Sequence, residues 1–239
     1  AKSPPQVRCK GRSNCFACAL RQDMVCSDVT LDDLVDFHAG IDDFDYSHGA
    51  TIFGMGAPTE AVYCIRAGAV KMVRFDPAGG ERIVRVLKVG DVAGFESAFA
   101  ERYEHAAIAV GEVRACRIPI AYFRRFVAEH AGLQARLFEK SQAALREAET
   151  WLTQLVGATT PARTRMARLL LRLRVGSGDR IHRFSVDDMA AIIGSTPETV
   201  SRVVSEFVRQ GFLVKSGSGA ASRHFRGDSA ALEKVAQEG

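Results

Sequence analysis

The chain has 239 residues, is 47% hydrophobic and carries a net charge of +4, enough apolar material for a core in each of two modest domains and too much for a disordered chain. No run of 18 or more apolar residues occurs, and the opening AKSPPQVRCKGRSNC has no apolar stretch of signal-peptide type, so we expect a cytoplasmic protein. In that compartment its six cysteines read as thiols, metal ligands or redox centres before structural disulfides.

Residues 1–28 are polar and without periodicity, and are expected to need a ligand or a neighbouring domain to become ordered. They hold Cys9, Cys15, Cys18 and Cys26. A C-x2-C pair alone suits zinc, a redox disulfide or coincidence. Adding Cys26 gives C-x2-C-x7-C, three thiolates on one loop, which leaves a tetrahedral site one ligand short. A short helix is predicted from Leu31 to Ala39, with Thr30 as cap and Leu34, Val35 and His38 on one side. His38 reads as a helix-surface histidine, since no second histidine stands at a supporting spacing.

From Ala50 to Pro119 the pattern changes to short β-rich runs broken by glycines, ATIFGMG, AVYCIRAGAVKMVRF, ERIVRVLKVGDVAGF and HAAIAVGEVRACRIP. That spacing predicts an antiparallel roll or barrel. DPAGGE, Asp76 to Glu81, is the expected hairpin turn between Met72–Phe75 and Ile83–Leu87. Cys64 and Cys116 fall on predicted strands, Cys64 as a small core hydrophobe.

A helical segment follows from Ile120 to Leu155, with Gly132 expected to open its long part. Phe138, Ser141, Leu145, Ala148, Leu152 and Leu155 alternate at spacings of three and four, a heptad seam. A lone helix lying on its own roll is the competing explanation. The small residues Ser141 and Ala148 favour two helices approaching closely, and hence a parallel homodimer. Val156-Gly157 marks a hinge, and Thr160-Pro161 is expected to cap a helix with Met166, Leu169, Leu170 and Leu173 on its apolar side.

Ser185 to Leu213 then reads as two short amphipathic helices joined by a Gly-Ser turn. Ser185 is a fitting N-cap, and Met189, Ala190, Ile192 and Ile193 form an apolar side before Gly194 stops the helix. Thr196 caps the second helix and Pro197 takes its first position, where a missing N–H costs nothing. Val200, Val203, Val204 and Phe207 recur at helical spacing and face a core, which puts Glu198, Ser201 and Arg202 on the opposite face. A helix-turn-helix sets that face against base edges in the major groove. Arg202 suits guanine N7 and O6, Glu198 a cytosine amino group, and Ser201 either donor or acceptor. Thr196, Thr199 and Arg223 complete the candidate DNA contacts, Arg223 from a Gly/Ser-rich hairpin wing, KSGSGAASRHF. Charge agrees with this placement: residues 157–239 carry 13 Lys/Arg against 8 Asp/Glu, and residues 1–156 carry 19 against 20. The basic excess would attract a polyanion and make binding salt-dependent.

The phrases YCIRAGAVK, VGDVAGF and ACRIP, in that order, resemble the sensory β-roll of the CRP/FNR superfamily of bacterial regulators, and PETVSR resembles the recognition helix of its FNR branch. The resemblance covers the chain from about Cys15. It implies an α+β fold: an N-terminal antiparallel β-roll like that of cyclic-nucleotide-binding domains, a long dimerisation helix and a C-terminal winged helix-turn-helix. The corresponding divisions are 1–28, 29–119, 120–156 and 157–239. It also implies a homodimeric activator rather than an enzyme, governing genes of low-oxygen metabolism, with a site such as TTGAT-N4-ATCAA and with RNA polymerase as partner. The surface offered to the polymerase aligns with DPAGGE, where Gly80 replaces an acidic residue.

FNR-type oxygen sensors hold a [4Fe–4S] cluster with an N-terminal cysteine triplet and one late β-roll cysteine just before an I-P phrase. The resemblance therefore implies Cys15, Cys18, Cys26 and Cys116 as ligands and leaves Cys9 without a place. A regulator of the same fold that senses through zinc or thiol oxidation remains an alternative, because thiolates suit both metals. An electron-transfer or redox protein using the cysteines belongs to a different class; no nucleotide-cradling Gly-rich motif accompanies it, and it has no use for a reading head. No cyclic nucleotide is expected: Glu96 could meet the ribose, but the arginine position for the phosphate, counted back from ACRIP, holds Ala106. Arg102, nearby, reads as a loop surface residue.

Overall fold

The computed structural model describes residues 5–24, 26–27, 29–76, 80–156, 160–215 and 224–238. They fall into two compact units, Ala1–Leu145 and Arg146–Gly239.

In the N-terminal unit one antiparallel sheet of seven strands carries the fold: β1 (Val7–Arg12), β2 (Asp42–Tyr46), β3 (Thr51–Phe53), β4 (Ala61–Phe75), β5 (Glu81–Leu87), β6 (Val92–Ala93) and β7 (Ala106–Pro119). The order is β1-β2-β7-β4-β5, with β3 also on β7 and β6 also on β4. Within the first 28 residues, expected to need a ligand or a neighbouring domain to become ordered, β1 forms by pairing with β2 of the roll. Its basic residues face acidic partners on β2, Arg12 at 3.3 Å from Asp42 and Lys10 at 3.9 Å from Asp45, which holds this exposed edge strand in register. The predicted hairpin between β4 and β5 closes with Phe75 opposite Glu81, and Gly80 N–H donates to the Asp76 carboxylate at 2.8 Å. Residues 77–79 of that turn lie outside the described residues.

The two long strands are apolar on both faces, so each feeds two cores. Ala61, Tyr63 and Ile65 of β4, with Val113 and Ala115 of β7, fill the roll. The alternate residues Val62, Cys64 and Ile118 pack on the other face, with Cys116 at its edge, against Cys15, Met24, Val29, Phe123, Phe126 and Leu133. That second face positions the cysteine site. Helix α1 (Leu31–His38) is capped by Thr30, whose hydroxyl accepts from Asp33 N–H. His38 bonds the Val35 carbonyl at 2.9 Å and meets Phe16 edge-on, a helix-surface role.

The helical segment after the roll is two helices, α2 (Ile120–Glu129) and α3 (Ala131–Gln154), broken where His130 turns extended. Buried Phe123, Phe126 and Val127 tie α2 to the roll. On α3, Phe138, Leu145 and Leu152 are 64%, 63% and 64% exposed, and Ser141 and Ala148 are exposed with them. Leu155 departs from this stripe. It follows the last residue of α3, its N–H bonds the carbonyl of buried Trp151, and it is fully buried in the C-terminal unit.

The C-terminal unit contains α4 (Ala162–Arg172), β8 (Arg180–His182), α5 (Val186–Ile193), α6 (Pro197–Arg209), β9 (Leu213–Lys215), β10 (His224–Gly227) and α7 (Ser229–Gln237). Pro161 precedes α4 without a side-chain cap, so the expected Thr160-Pro161 cap reduces to a proline whose missing N–H is no loss there. The wing is present as β9 and β10, and β8 joins them in a sheet of order β8-β10-β9. Sequence patterning missed β8, whose three residues are too few to show a period. Among the described residues no helix is long and apolar enough to cross a membrane.

Candidate DNA interface and cysteine site

The reading head is built by local rules. Ser185 Oγ accepts from Asp188 N–H at 3.0 Å. Gly194 ends α5 with φ 60° and ψ 51°, a left-handed conformation that glycine adopts without strain. Thr196 starts α6 by accepting from Thr199 N–H at 3.3 Å, with Pro197 in the first turn. Val200, Val203, Val204 and Phe207 are buried, while Glu198, Ser201 and Arg202 are exposed. From behind, Arg163 of α4 bonds Glu206 at 3.1 Å and lies over the Phe207 ring, and buried Arg165 donates to the Ile193 carbonyl. The outward face is thereby fixed before any DNA arrives.

Hydrogen bonds from its own backbone N–H and from the Thr196 hydroxyl hold the Glu198 carboxyl below the usual carboxylate range, so it is an acceptor throughout the neutral range. The hydroxyls of Thr196 and Thr199 stand 3.2 Å apart within the cap, which spends them on the helix start. Ser205 and Arg209 extend the exposed face. Sequence reasoning stopped at Arg202, although Ser205 lies at i+7 from Glu198 and the same helical count would have found it. Arg223 lies outside the described residues.

At the other site the loop after β1 runs as successive turns: Cys18 N–H to Cys15 C=O, Arg21 to Cys18, Met24 to Arg21, Ser27 to Met24 and Val29 to Cys26. These turns place Cys15, Cys18 and Cys26 in one wall of a small cavity, whose opposite wall is Cys64 and Cys116. Cys64 and Cys116 are direct partners in the β4–β7 register. Cys9 sits apart, exposed on β1. The four sequence-nominated thiols are thus brought together, and Cys64 joins them. It is a buried core residue, as expected, and a cavity-wall residue as well. The space between the two walls is about 20 Å³, room for roughly one water. Among the described residues no three His, Cys, Asp or Glu side chains converge on a point that could hold a single metal ion.

Burial, and then the neighbouring Cys26 and Cys18, push the Cys15 thiol up to about 12. Burial and then Cys18 push Cys26 up to about 11, and burial and then Asp43 push Cys116 up to about 12. Cys15, Cys26 and Cys116 are therefore neutral thiols near pH 7, and a metal cation among them would favour their thiolates. The loop also reaches α3. Arg136 donates to Ser27 Oγ at 3.1 and 3.2 Å, next to Cys26, while Leu133 and Leu137 pack into the same core as Cys15.

A β-roll followed in the chain by a long helix and a winged helix-turn-helix defines a DNA-binding transcription regulator with a sensory domain. The cyclic nucleotide-binding domain family matches residues 44–130, and the Crp-like helix-turn-helix domain family matches residues 164–221. The Cyclic AMP receptor protein of Thermus thermophilus is 31% identical over 197 residues, covering 80% of this chain and 86% of that protein. The nitrogen fixation regulation protein FixK of Bradyrhizobium diazoefficiens is 29% identical over 206 residues, 83% of this chain and 85% of the relative. The structure of FixK2 from Bradyrhizobium japonicum matches with a TM-score of 0.69 at 26% identity, over 82% of this chain and 98% of that one. The chain belongs to the CRP/FNR family of transcription regulators, which are not enzymes.

These matches correct one expectation. The exclusion of a cyclic nucleotide rested on Ala106 alone, and the cyclic nucleotide-binding domain match runs over residues 44–130, Ala106 included. With that match and a cyclic AMP receptor protein among the relatives, the exclusion is withdrawn. In the roll Glu96 lies 3.7 Å from His105, and Arg102 donates to the Gly56 carbonyl at 2.7 Å on the surface.

Proposed function

We propose that this protein is a homodimeric DNA-binding regulator whose affinity for DNA is set by an oxygen-labile [4Fe–4S] cluster held by Cys15, Cys18, Cys26 and Cys116, and that it serves genes of low-oxygen metabolism. The observation that carries this reading is the meeting of these four thiols around one cavity, although one of them comes from a strand ninety residues away in the chain. The donor set suits the group: four sulfur ligands, spread around a wall in the way that a multi-iron cluster accommodates better than a single ion.

When bound, the cluster supplies a centre that reacts with oxygen. The chain's own residues link its state to DNA. Ser27 and Arg136 fasten the cysteine loop to α3, and α3 carries the exposed Phe138, Leu145 and Leu152 stripe that a second copy would cover. A loop position that favours dimer raises the affinity for a palindrome, because a dimer offers two Arg202-bearing helices about 34 Å apart. The coupling holds only if the two loop positions differ in dimer affinity. Protein purified without oxygen is expected to contain about four iron and four sulfide per chain. Zinc in their place, or neither metal nor sulfide, would contradict this reading.

A second reading is carried by the cyclic nucleotide-binding domain match over residues 44–130: the roll binds a cyclic nucleotide as a further effector. Calorimetric titration of the full chain with cyclic AMP is expected to give saturable heat, and a flat titration would contradict it.

A further inference from the structure

One arginine stands in the wall of the cysteine cavity. Arg66 follows Cys64 by two residues on β4, and so shares its face. The β4–β7 register slips between Ile65 and Ala67, which leaves Arg66 as the extra residue of a bulge, a device that re-aims a side chain. Asp43 then grips it: Arg66 Nη1 donates to the two carboxylate oxygens at 2.9 and 2.7 Å. The same carboxylate accepts from Ser13 Oγ at 2.6 Å and from Cys116 Sγ at 3.3 Å. Because β7 lies between β2 and β4, the Asp43–Arg66 pair bridges across the strand that carries Cys116. Arg66 is the one cation among the described residues that line the cavity, and its side chain is 24% exposed.

The pair thereby sets one cation in a wall shared with five cysteines. Four thiolates bring more negative charge than the metal they hold removes, and that excess has to be kept in a largely desolvated place.

Resting on the cysteine-site reading above, we infer that Arg66 is a positioning residue of that site: its guanidinium, aimed by the bulge and held by Asp43, offsets the charge of the thiolate set and thereby tunes its metal affinity and reduction potential. A cation there favours the more negative, reduced state and raises the potential. Asp43, an anion beside Cys116, acts in the opposite sense while it holds Arg66 in place.

The test uses the full chain with two probes, zinc ion competed against a chelator and the potential of the anaerobically reconstituted iron–sulfur protein. Arg66→Gln is expected to weaken zinc binding by roughly 10- to 100-fold and to lower the potential. Arg66→Lys, which keeps the charge, is expected to restore most of both. Arg66→Met, which keeps the aliphatic stem and loses the charge, is expected to repeat both losses, and this arm decides the matter if Arg66→Gln fails to fold. Equal zinc affinity and potential in a folded Arg66→Gln or Arg66→Met protein would overturn the inference, as would the same losses in Arg66→Lys, which mark a staple rather than a charge. Failure of the wild type to load zinc or iron and sulfide would remove the cysteine-site reading and this inference together, whereas normal loading in the wild type and in Arg66→Gln removes the inference alone.

Discussion

The recognition helix and the cysteine loop differ in what completes them. Helix α6 is finished by its own sequence: a cap at Thr196, a proline in the first turn, a buried valine and phenylalanine side, and two arginines of α4 behind it. Glu198, Ser201 and Arg202 face outward whether or not DNA is present. The loop from Cys15 to Val29 is held by short turns, by burial of Cys15, Met24 and Val29 in a core shared with Leu133 of α3, and by Arg136. Burial holds its Cys15 and Cys26 thiols neutral, and a bound metal cation would favour their thiolates. A reader built on rigid elements and a sensor built on a conditional loop are what a ligand-set regulator requires, since only the second has two states to choose between.

The comparison breaks most completely at Cys116. Replacing it with serine removes a thiolate supplied by the sheet and is expected to abolish all iron and sulfide, as are Cys15→Ser, Cys18→Ser and Cys26→Ser. Cys9→Ser, remote on β1, is expected to keep both. Cys64→Ser sharpens the contrast, because it lines the same cavity: it should retain the cluster and lower stability by placing a hydroxyl in the core. Elemental analysis with a thermal scan reads the two effects separately, and a fully loaded Cys116→Ser protein would transfer the fourth ligand to another cysteine.

The next effect lies on α3. Leu145→Glu puts two like charges on the exposed stripe and is expected to leave the roll folded while converting dimer to monomer by sedimentation. An unchanged dimer would place the interface elsewhere. On the reader, Arg202→Ala is expected to cost about 1–3 kcal/mol of sequence-specific binding per contact, with non-specific, salt-dependent binding retained. Equal weakening on random and palindromic DNA would make Arg202 a phosphate contact. The smallest effect belongs to the cap: Thr196→Ala is expected to lower the stability of the C-terminal unit by about 1 kcal/mol, seen in denaturant melting, and to leave iron content unchanged.

What could be read from the chain follows the same division. Caps, the αL glycine at 194 and the buried side of α6 depend on neighbours within one or two turns, so Ser185, Gly194 and Thr196 were legible as residues. The strands were legible as apolar runs, and the pairing of Cys64 with Cys116 was not, because register is set by contacts between segments far apart in sequence. For the same reason Cys64 was placed in the core without its place in the cavity wall, and Asp43 and Arg66 drew no notice: each is an ordinary charged strand residue until the sheet sets them on either side of β7. The heptad count ran one residue set too far at Leu155, where the periodicity continues but the helix ends and the C-terminal core takes the side chain. It placed the opening of the long helix at Gly132, one residue after its start at Ala131 and two after the break at His130.

If the cysteine loop governs the reader, oxygen and DNA affinity are linked in one sample. The affinity of anaerobically purified protein for a palindromic duplex is measured before and after exposure to air, with the visible absorbance of the same sample recorded alongside. The account predicts that iron–sulfur absorbance and specific affinity fall together in the wild type, and that Cys116→Ser begins at the low affinity and does not respond. Affinity that stays constant while the absorbance bleaches, or wild-type protein with no such absorbance and full affinity in air, would contradict it.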